Sequence, residues 1–203
     1  MRHFVLFFLF ACIIQGAFSQ KFNSGLQLGL NTSQITGDNL AGYNKAGITA
    51  GIWVNRNISE RLSIWMELSY LPKGSKKLNS PSDSIPDYYR LHINYIEVPI
   101  SITYRLHPKL SFETGISCGA YISHTEEDVN GDLTGIYGPS EQFKSTDISF
   151  NAGLNWHFNS KWMFNVRNAN SIFPVRNHNQ QTYFRLNRGQ YTSCIMGRIL
   201  YQF

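Results

Sequence analysis

The sequence has few charged residues. Lysine, arginine, aspartate and glutamate make up 15% of its 203 residues, against about 25% in an ordinary soluble domain. A surface that faces water normally carries more charge than this composition supplies. The formal net charge is +5, and no basic cluster with interleaved aromatic residues occurs. The sequence therefore argues against nucleic acid as a partner.

Long apolar runs are scarce as well. After the first residues, no segment approaches the roughly 18 consecutive apolar residues that indicate a transmembrane helix. The one unbroken run, Phe4 to Ile14, follows a short basic start and precedes a pair of small residues that ends at Ser19. This layout predicts a secretory signal peptide over residues 1–19 and one exported domain over residues 20–203. An uncleaved anchor and a lipoprotein signal at Cys12 stay open as alternatives.

No segment shows the apolar spacing of an amphipathic helix. Cysteine is also rare. Only Cys118 and Cys194 remain in the predicted exported domain. The alternating pattern described next points one of them outward and the other inward, so no disulfide is expected. Both are interpreted as packing residues.

What the chain does contain is apolar residues at every second position, repeated along its length. This spacing is the period of a β-strand. Each repeat has roughly ten residues, the length that a tilted strand needs to cross a bilayer. The pattern predicts eight strands: 25–33, 47–57, 62–71, 94–105, 110–122, 147–158, 161–173 and 190–203.

The connections between these strands alternate between short and long. Three are tight turns, at 58–61, 106–109 and 159–160. Four are long and polar, at 34–44, 72–90, 123–146 and 174–189. Strict alternation is expected when hairpin turns of one kind share one side of a barrel. In outer-membrane barrels the short turns are periplasmic and the long loops extracellular. The predicted fold is an all-β, eight-stranded antiparallel up-and-down transmembrane barrel.

The polar face of the strands distinguishes a membrane barrel from a soluble one. A ligand-carrying soluble barrel would show the same period with a charged exterior. Here the polar face consists mostly of glycine, serine, threonine and asparagine, which suit a narrow lumen. Mixed charges in such an interior must neutralise each other. We predict a structural charge network inside the barrel, formed by Glu67, Glu97, Arg105, Glu113, Arg167 and Arg198.

Aromatic residues make up 14% of the chain. Trp53, Trp65, Trp156 and Trp162 lie near predicted strand ends, and the outward-pointing members of such a set are expected to form girdles at the membrane interfaces. The last residue, Phe203, ends the final predicted strand. A terminal aromatic residue resembles the signal that the barrel-assembly machinery reads during insertion.

Several short motifs resemble the PorT-like outer-membrane β-barrel family of Bacteroidetes. They are Gly29-Leu30-Asn31, Lys45-Ala46-Gly47, Glu67-Leu68-Ser69-Tyr70 followed by Lys73-Gly74, Tyr95-Ile96-Glu97-Val98-Pro99, and Gly115-Ile116 to Gly119-Ala120-Tyr121. The resemblance covers most of the exported domain. It implies an eight-stranded barrel in the outer membrane, with no single function and no catalytic residues.

No enzymatic, cofactor or metal site is expected. Asp128, Asn130 and Asp132 have the spacing of a calcium loop, but Leu133 and Pro139 stand where glycine and glutamate are needed. The histidines lack zinc-ligand spacing, and no nucleophile-elbow motif frames a serine. A solvated loop is the favoured interpretation of the acidic segment.

The sequence is compatible with four functions. The first is a structural or surface-interaction barrel that works through its extracellular loops, with an unknown protein partner. The second is a minor porin or a component of a transport or secretion machinery, although eight strands leave little space inside. The third is a membrane-embedded enzyme, and the fourth is a soluble carrier. Outer-membrane lipid and the barrel-assembly machinery are the other expected partners.

Overall fold

The computed structural model describes residues 21–38, 40, 42–77, 88–135, 142–177 and 189–203. The predicted signal peptide lies outside these described residues. Within them, no helix is long and apolar enough to cross a membrane. The strands are β1 (Phe22–Thr36), β2 (Lys45–Asn57), β3 (Leu62–Lys77), β4 (Tyr89–His107), β5 (Leu110–Asp128), β6 (Gly131–Asp132), β7 (Thr146–His157), β8 (Trp162–Ser171) and β9 (Tyr191–Gln202).

The strands close into a barrel. Every pairing is antiparallel: β1 pairs with both β2 and β9, and β4 pairs with both β3 and β5. The remaining pairs, β2 with β3, β5 with β7, β7 with β8 and β8 with β9, complete a ring of eight long strands. The two-residue β6 only adds a short hairpin to β5. The predicted eight-stranded antiparallel barrel is confirmed.

The period of two in the sequence places apolar residues on the outer surface of the barrel wall and polar residues on its inner surface. On β1, Leu28 and Leu30 are 60% and 67% exposed, whereas Gln27 is 3% exposed. The same alternation runs around the ring, so the large apolar side chains point away from the barrel axis and the polar ones point towards it. This arrangement is the reverse of a soluble barrel. An exterior this apolar would be costly in water and needs a hydrocarbon surrounding.

The strands around the long loops are longer than the sequence predicted. β4 and β5 each have 19 residues, against the 9–11 or so that cross a bilayer. The predicted loops 72–90 and 123–146 are therefore partly wrong. Pro72 and Gly74 suggested a strand end, yet β3 continues through both and pairs with Asn94 and His92.

This prolongation forms an outer sheet, defined here as residues 72–77, 89–94 and 121–128 with β6. A register shift between Asn94 and Tyr95 leaves Ile122 as an extra residue on β5. On β4, the outward residues between this bulge and the short turn are apolar, such as Ile96. Those above it are polar and include Arg90, Asn94 and Thr125. The bulge therefore marks the place where the wall leaves the apolar band.

The interior is packed in layers along the barrel axis. An apolar layer near the short turns is formed by Trp53, Trp65, Met163 and Leu200. A second lies near the middle and is formed by Leu71, Ala169, Cys194 and Met196. The third lies towards the long loops and is formed by Ile35, Leu91, Ile93 and Tyr95. Buried polar and charged side chains lie between these apolar layers.

Candidate functional site

The charged layer nearer the short turns is centred on Glu67 of β3. Arg167 of β8 donates from Nη1 and Nη2 to the two carboxylate oxygens of Glu67, at 3.2 and 2.5 Å. Arg198 of β9 donates from Nη1 to Oε2 of the same carboxylate at 2.7 Å. These residues occupy inward positions of strands that face each other across the lumen. The period of two aims all three side chains at the barrel axis.

Glu113 of β5 completes this layer. Its Oε1 accepts hydrogen bonds from Nε of Arg167 at 2.6 Å and from Nδ2 of Asn165 at 2.8 Å. The Oδ1 of Asn165 in turn accepts from Nε of Arg198 at 2.9 Å. Two carboxylates and two guanidiniums thus neutralise each other. Each of the four residues is at most 3% exposed. We call Glu67, Glu113, Arg167 and Arg198 the charge cluster.

A second charged layer, nearer the long loops, is centred on Lys73, which is fully buried. Its Nζ lies 2.7 Å from Oε1 of Glu97 and 2.9 Å from Oδ2 of Asp147. The same amine lies 5.4 Å from the centre of the Tyr95 ring. Thr192 donates a hydrogen bond to Asp147 at 2.8 Å. We call Lys73, Glu97 and Asp147 the lysine triad.

The structure therefore divides the six sequence-predicted charges among three places. Glu67, Glu113, Arg167 and Arg198 lie together in the charge cluster, and Glu97 belongs to the lysine triad. Arg105 lies apart from both. It is exposed near the end of β4, where its backbone NH donates to the carbonyl oxygen of Arg61. Its inward position lies so close to a short turn that its side chain reaches the mouth of the barrel rather than the closed interior.

Lys73 and Asp147 were absent from the network predicted from the sequence. Lys73 falls within the predicted loop 72–90, a long polar segment with several prolines and serines. A signal was nevertheless present: Lys73 follows Glu67 by six residues, so the period of two places both on the same face. Asp147 is the second residue of β7 and lies opposite Gly119 in the sheet.

A further ion pair lies against the inner face of the outer sheet. Nη1 of Arg176 is 2.9 Å from Oε2 of Glu126, and Tyr89 donates a hydrogen bond to Oε1 of the same carboxylate at 2.6 Å. The guanidinium of Arg176 also lies over the ring of Phe143, 4.8 Å from its centre. These contacts attach the segments 142–145 and 174–177 to the inside of the outer sheet.

The acidic segment between β5 and β6 forms local hydrogen bonds. Asp128 accepts from the backbone NH of Asn130 at 2.7 Å, and Asp132 accepts from that of Thr134 at 2.7 Å. These bonds hold a hairpin turn. Within the described part of the chain, no group of three histidine, cysteine or acidic residues is placed to hold a metal ion. Pro139 lies outside the described residues.

A closed antiparallel barrel with an apolar exterior and ion pairs in its lumen is the architecture of a transmembrane β-barrel. The chain belongs to the outer membrane protein beta-barrel domain family, which matches residues 18–177. It is thus an outer-membrane barrel protein.

Two solved structures share the fold. One is the attachment invasion locus protein Ail of Yersinia pestis, with 12% identity and a TM-score of 0.51; the match covers 90% of this chain and 99% of that one. The other is Neisserial surface protein A, with 10% identity and a TM-score of 0.54; the match covers 89% of this chain and 97% of that one. A comparison with curated proteins gives no match. At these identities the likeness concerns the fold alone.

Proposed function

We propose that this protein acts at the cell surface through its outer sheet and long loops, while its lumen stays closed to solutes. The single observation that carries the proposal is the division of the barrel into two parts. One part is an interior filled with buried layers, and the other is a sheet that projects past the apolar band. The barrel anchors the projecting part, and the projecting part meets a partner.

The filled interior argues against a steady pore. The charge cluster and the lysine triad cross the lumen between three apolar layers, and their charged side chains are almost completely buried. An eight-stranded barrel has an interior only just wide enough for its own side chains. Passage of a solute would require these ion pairs to separate within a poorly hydrated space, which costs several kcal/mol.

The outer sheet supplies a surface for recognition. The six residues from Tyr89 to Asn94 extend β4 by about 20 Å beyond the bulge. The Arg176–Glu126 ion pair and the apolar layer at Ile35 pack the inside of this sheet. A sheet supported from within can present its outward residues in fixed positions, which lowers the entropic cost of binding a partner.

The route to the membrane and the finer family assignment are part of the same proposal. A signal peptide over residues 1–19, cleaved after Ser19, directs residues 20–203 to the periplasm. The barrel-assembly machinery then inserts the chain, with the short turns in the periplasm and the long loops outside. The motifs that resemble the PorT-like family of Bacteroidetes support placing the chain in that branch. The protein has no catalytic role in this account.

One observation favours transport as the second candidate. The hydroxyl groups of Ser101, Thr103 and Ser117 are buried without a hydrogen-bond partner among the described residues. All three lie on the inner wall formed by β4 and β5. Buried polar groups of this kind commonly bind internal water. A file of water along this wall would give a small conductance that the filled layers alone would not permit.

Planar-bilayer recording separates the two candidates. The purified full-length barrel should give no steady current if the lumen is closed. A reproducible single-channel conductance would instead support the transport function. Heat-modifiable migration on a gel should first establish that the sample is a folded barrel.

Cysteine labelling on intact cells tests whether the outer sheet reaches the cell surface. In a Cys118→Ala background, Thr125→Cys should react with a membrane-impermeant maleimide. The matched variant Ser59→Cys lies in an exposed short turn and should react only after the outer membrane is permeabilised. The opposite labelling pattern would contradict the proposed function.

A further inference from the structure

The end of the barrel that carries the short turns opens into a cavity of about 540 Å³. Its walls come from the ends of the strands and from the turns around residues 58–61, 108–109 and 158–161. Its floor is the apolar layer that contains Trp53 and Trp65, whose rings contact each other at a tilt with centres 4.6 Å apart. We call this cavity the vestibule. Its volume falls within the range of small-ligand sites.

The vestibule is lined by an excess of positive charge. Four cationic side chains line it: Arg61, Arg105, Lys109 and Lys161. Glu60 is the one carboxylate among the lining residues that the structure describes. None of the four cations has a carboxylate of a described residue within ion-pair distance, in contrast to the buried lysine and arginines above the floor. Lys161 also contacts the ring of Tyr201, with its Nζ 5.7 Å from the ring centre. The charge available to a ligand in the vestibule therefore comes chiefly from Arg61, Arg105 and Lys109.

The cations come from three separate turns. Arg61 lies in the turn between β2 and β3, and Lys161 lies in the turn between β7 and β8. Arg105 lies near the end of β4, and Lys109 lies in the turn that follows it. Since these turns surround the opening, the positive charge is distributed around the mouth. Such a distribution favours a ligand with several negative groups over a single anion.

The polar groups of the vestibule wall fit the same type of ligand. Thr103 lines the vestibule, is 5% exposed, and has an Oγ1 without a hydrogen-bond partner among the described residues. Ser111 and His157 also line it and hydrogen-bond to each other at 2.9 Å. A hydroxyl donor below a ring of cations is suited to an oxyanion that enters from the mouth.

We propose that the vestibule binds a small ligand carrying at least two oxyanion groups, either phosphates or carboxylates. The cations at the mouth hold the charged groups, and the apolar layer around Trp53 stops the ligand from going deeper. The charge cluster takes no part, because that layer separates it from the vestibule. This site lies at the opposite end from the outer sheet, so the inference stands independently of the surface-interaction function.

Isothermal titration calorimetry on the folded full-length barrel in zwitterionic detergent tests this site. Inorganic pyrophosphate is the phosphate probe, citrate the carboxylate probe, and sucrose the neutral control. The double variant Arg105→Gln/Lys109→Gln should weaken binding at least tenfold, since it removes two of the cations that would form charge-assisted hydrogen bonds with the oxyanion groups. Arg61→Gln, on a different turn, provides an independent variant if the double variant fails to fold.

Arg56→Gln is the matched control, because Arg56 is exposed near the same end but does not line the vestibule. Its affinity should equal that of the unmodified protein. Tighter binding of pyrophosphate would identify a phosphorylated ligand, and tighter binding of citrate a carboxylate ligand. The inference is overturned if neither probe binds at millimolar concentration, or if Arg56→Gln weakens binding as much as the vestibule variants do.

Discussion

Glu67 and Arg167 are one hundred residues apart in the chain, and their side chains meet in a bidentate ion pair inside the barrel. Their strands, β3 and β8, are not neighbours in the sheet. The pair therefore crosses the lumen and joins opposite walls. It can form only when the ring of strands has closed, so the ion pair and the closed fold depend on each other.

Replacing Glu67 by glutamine should strongly destabilise the barrel. The substitution leaves Arg167 and Arg198 buried with Glu113 as their single carboxylate, and breaking a buried pair costs about 3–5 kcal/mol. Urea unfolding in detergent or vesicles measures the change. Glu60→Gln, in an exposed turn, should change the unfolding free energy by less than about 0.5 kcal/mol. Equal effects of the two variants would show that Glu67 has no special structural role.

Replacing Lys73 by methionine should leave the carboxylates of Glu97 and Asp147 without their cation. The expected loss is again about 3–5 kcal/mol in the same unfolding measurement. The triple variant Lys73→Met/Glu97→Gln/Asp147→Asn removes all three charges and should recover most of that loss. Failure of the triple variant to recover stability would mean that lost packing, rather than an unpaired charge, caused the effect.

Two strand glycines should respond differently to alanine. A Cβ on Gly115 would lie 2.2 Å from the carbonyl oxygen of Ile100, so the backbone of β4 would have to move. On the outward face, a Cβ on Gly197 would meet only the Phe164 ring at 3.6 Å, an ordinary contact. Gly115→Ala should cost about 1–3 kcal/mol, and Gly197→Ala should be nearly neutral. The fraction of heat-modifiable protein after refolding measures the difference in stability between the two variants. Equal fractions would show that the inner wall has space for a methyl group at Gly115.

The depth of the lipid-facing side chains gives a fourth prediction. Ile100 is 55% exposed in the middle of the outward face of β4, and Ile122 is 53% exposed at the bulge. Arginine at the bilayer midplane of a barrel costs about 2–4 kcal/mol and near the interface about 0–1. Unfolding from vesicles should therefore show a larger loss for Ile100→Arg than for Ile122→Arg. The reverse order would move the apolar band away from its inferred position.

The alternation of residues predicted most of the fold. Leu26, Leu28 and Leu30 share one face of a strand whatever the partner strand is, and eight such repeats with alternating turn lengths indicate a closed barrel. The extent of the outer sheet was not predictable in this way. Pro72 and Gly74 are typical of strand ends, and only pairing with β4 carries β3 past them.

The sequence predicts which charged side chains point into the barrel, but not how deep in the barrel each of them lies. The period of two gives the inward face for Glu67, Arg105 and Arg198 alike. It does not tell how far each residue lies from the mouth, because that depends on the register between strands. Arg105 is consequently exposed, while Arg198 is buried. The register also brings Lys73 to Asp147, whose strands are distant in the sequence.

The outward direction of the apolar face is the claim on which the whole account depends, and NMR in lipid nanodiscs tests it without any substitution. Cross-peaks between methyl groups and lipid acyl chains should appear for Leu28 and Ile100, which are exposed on the barrel exterior. They should be absent for Leu71 and Leu200, which are each 2% exposed. Acyl-chain contacts to Leu71 and Leu200, with none to Leu28 and Ile100, would contradict the account.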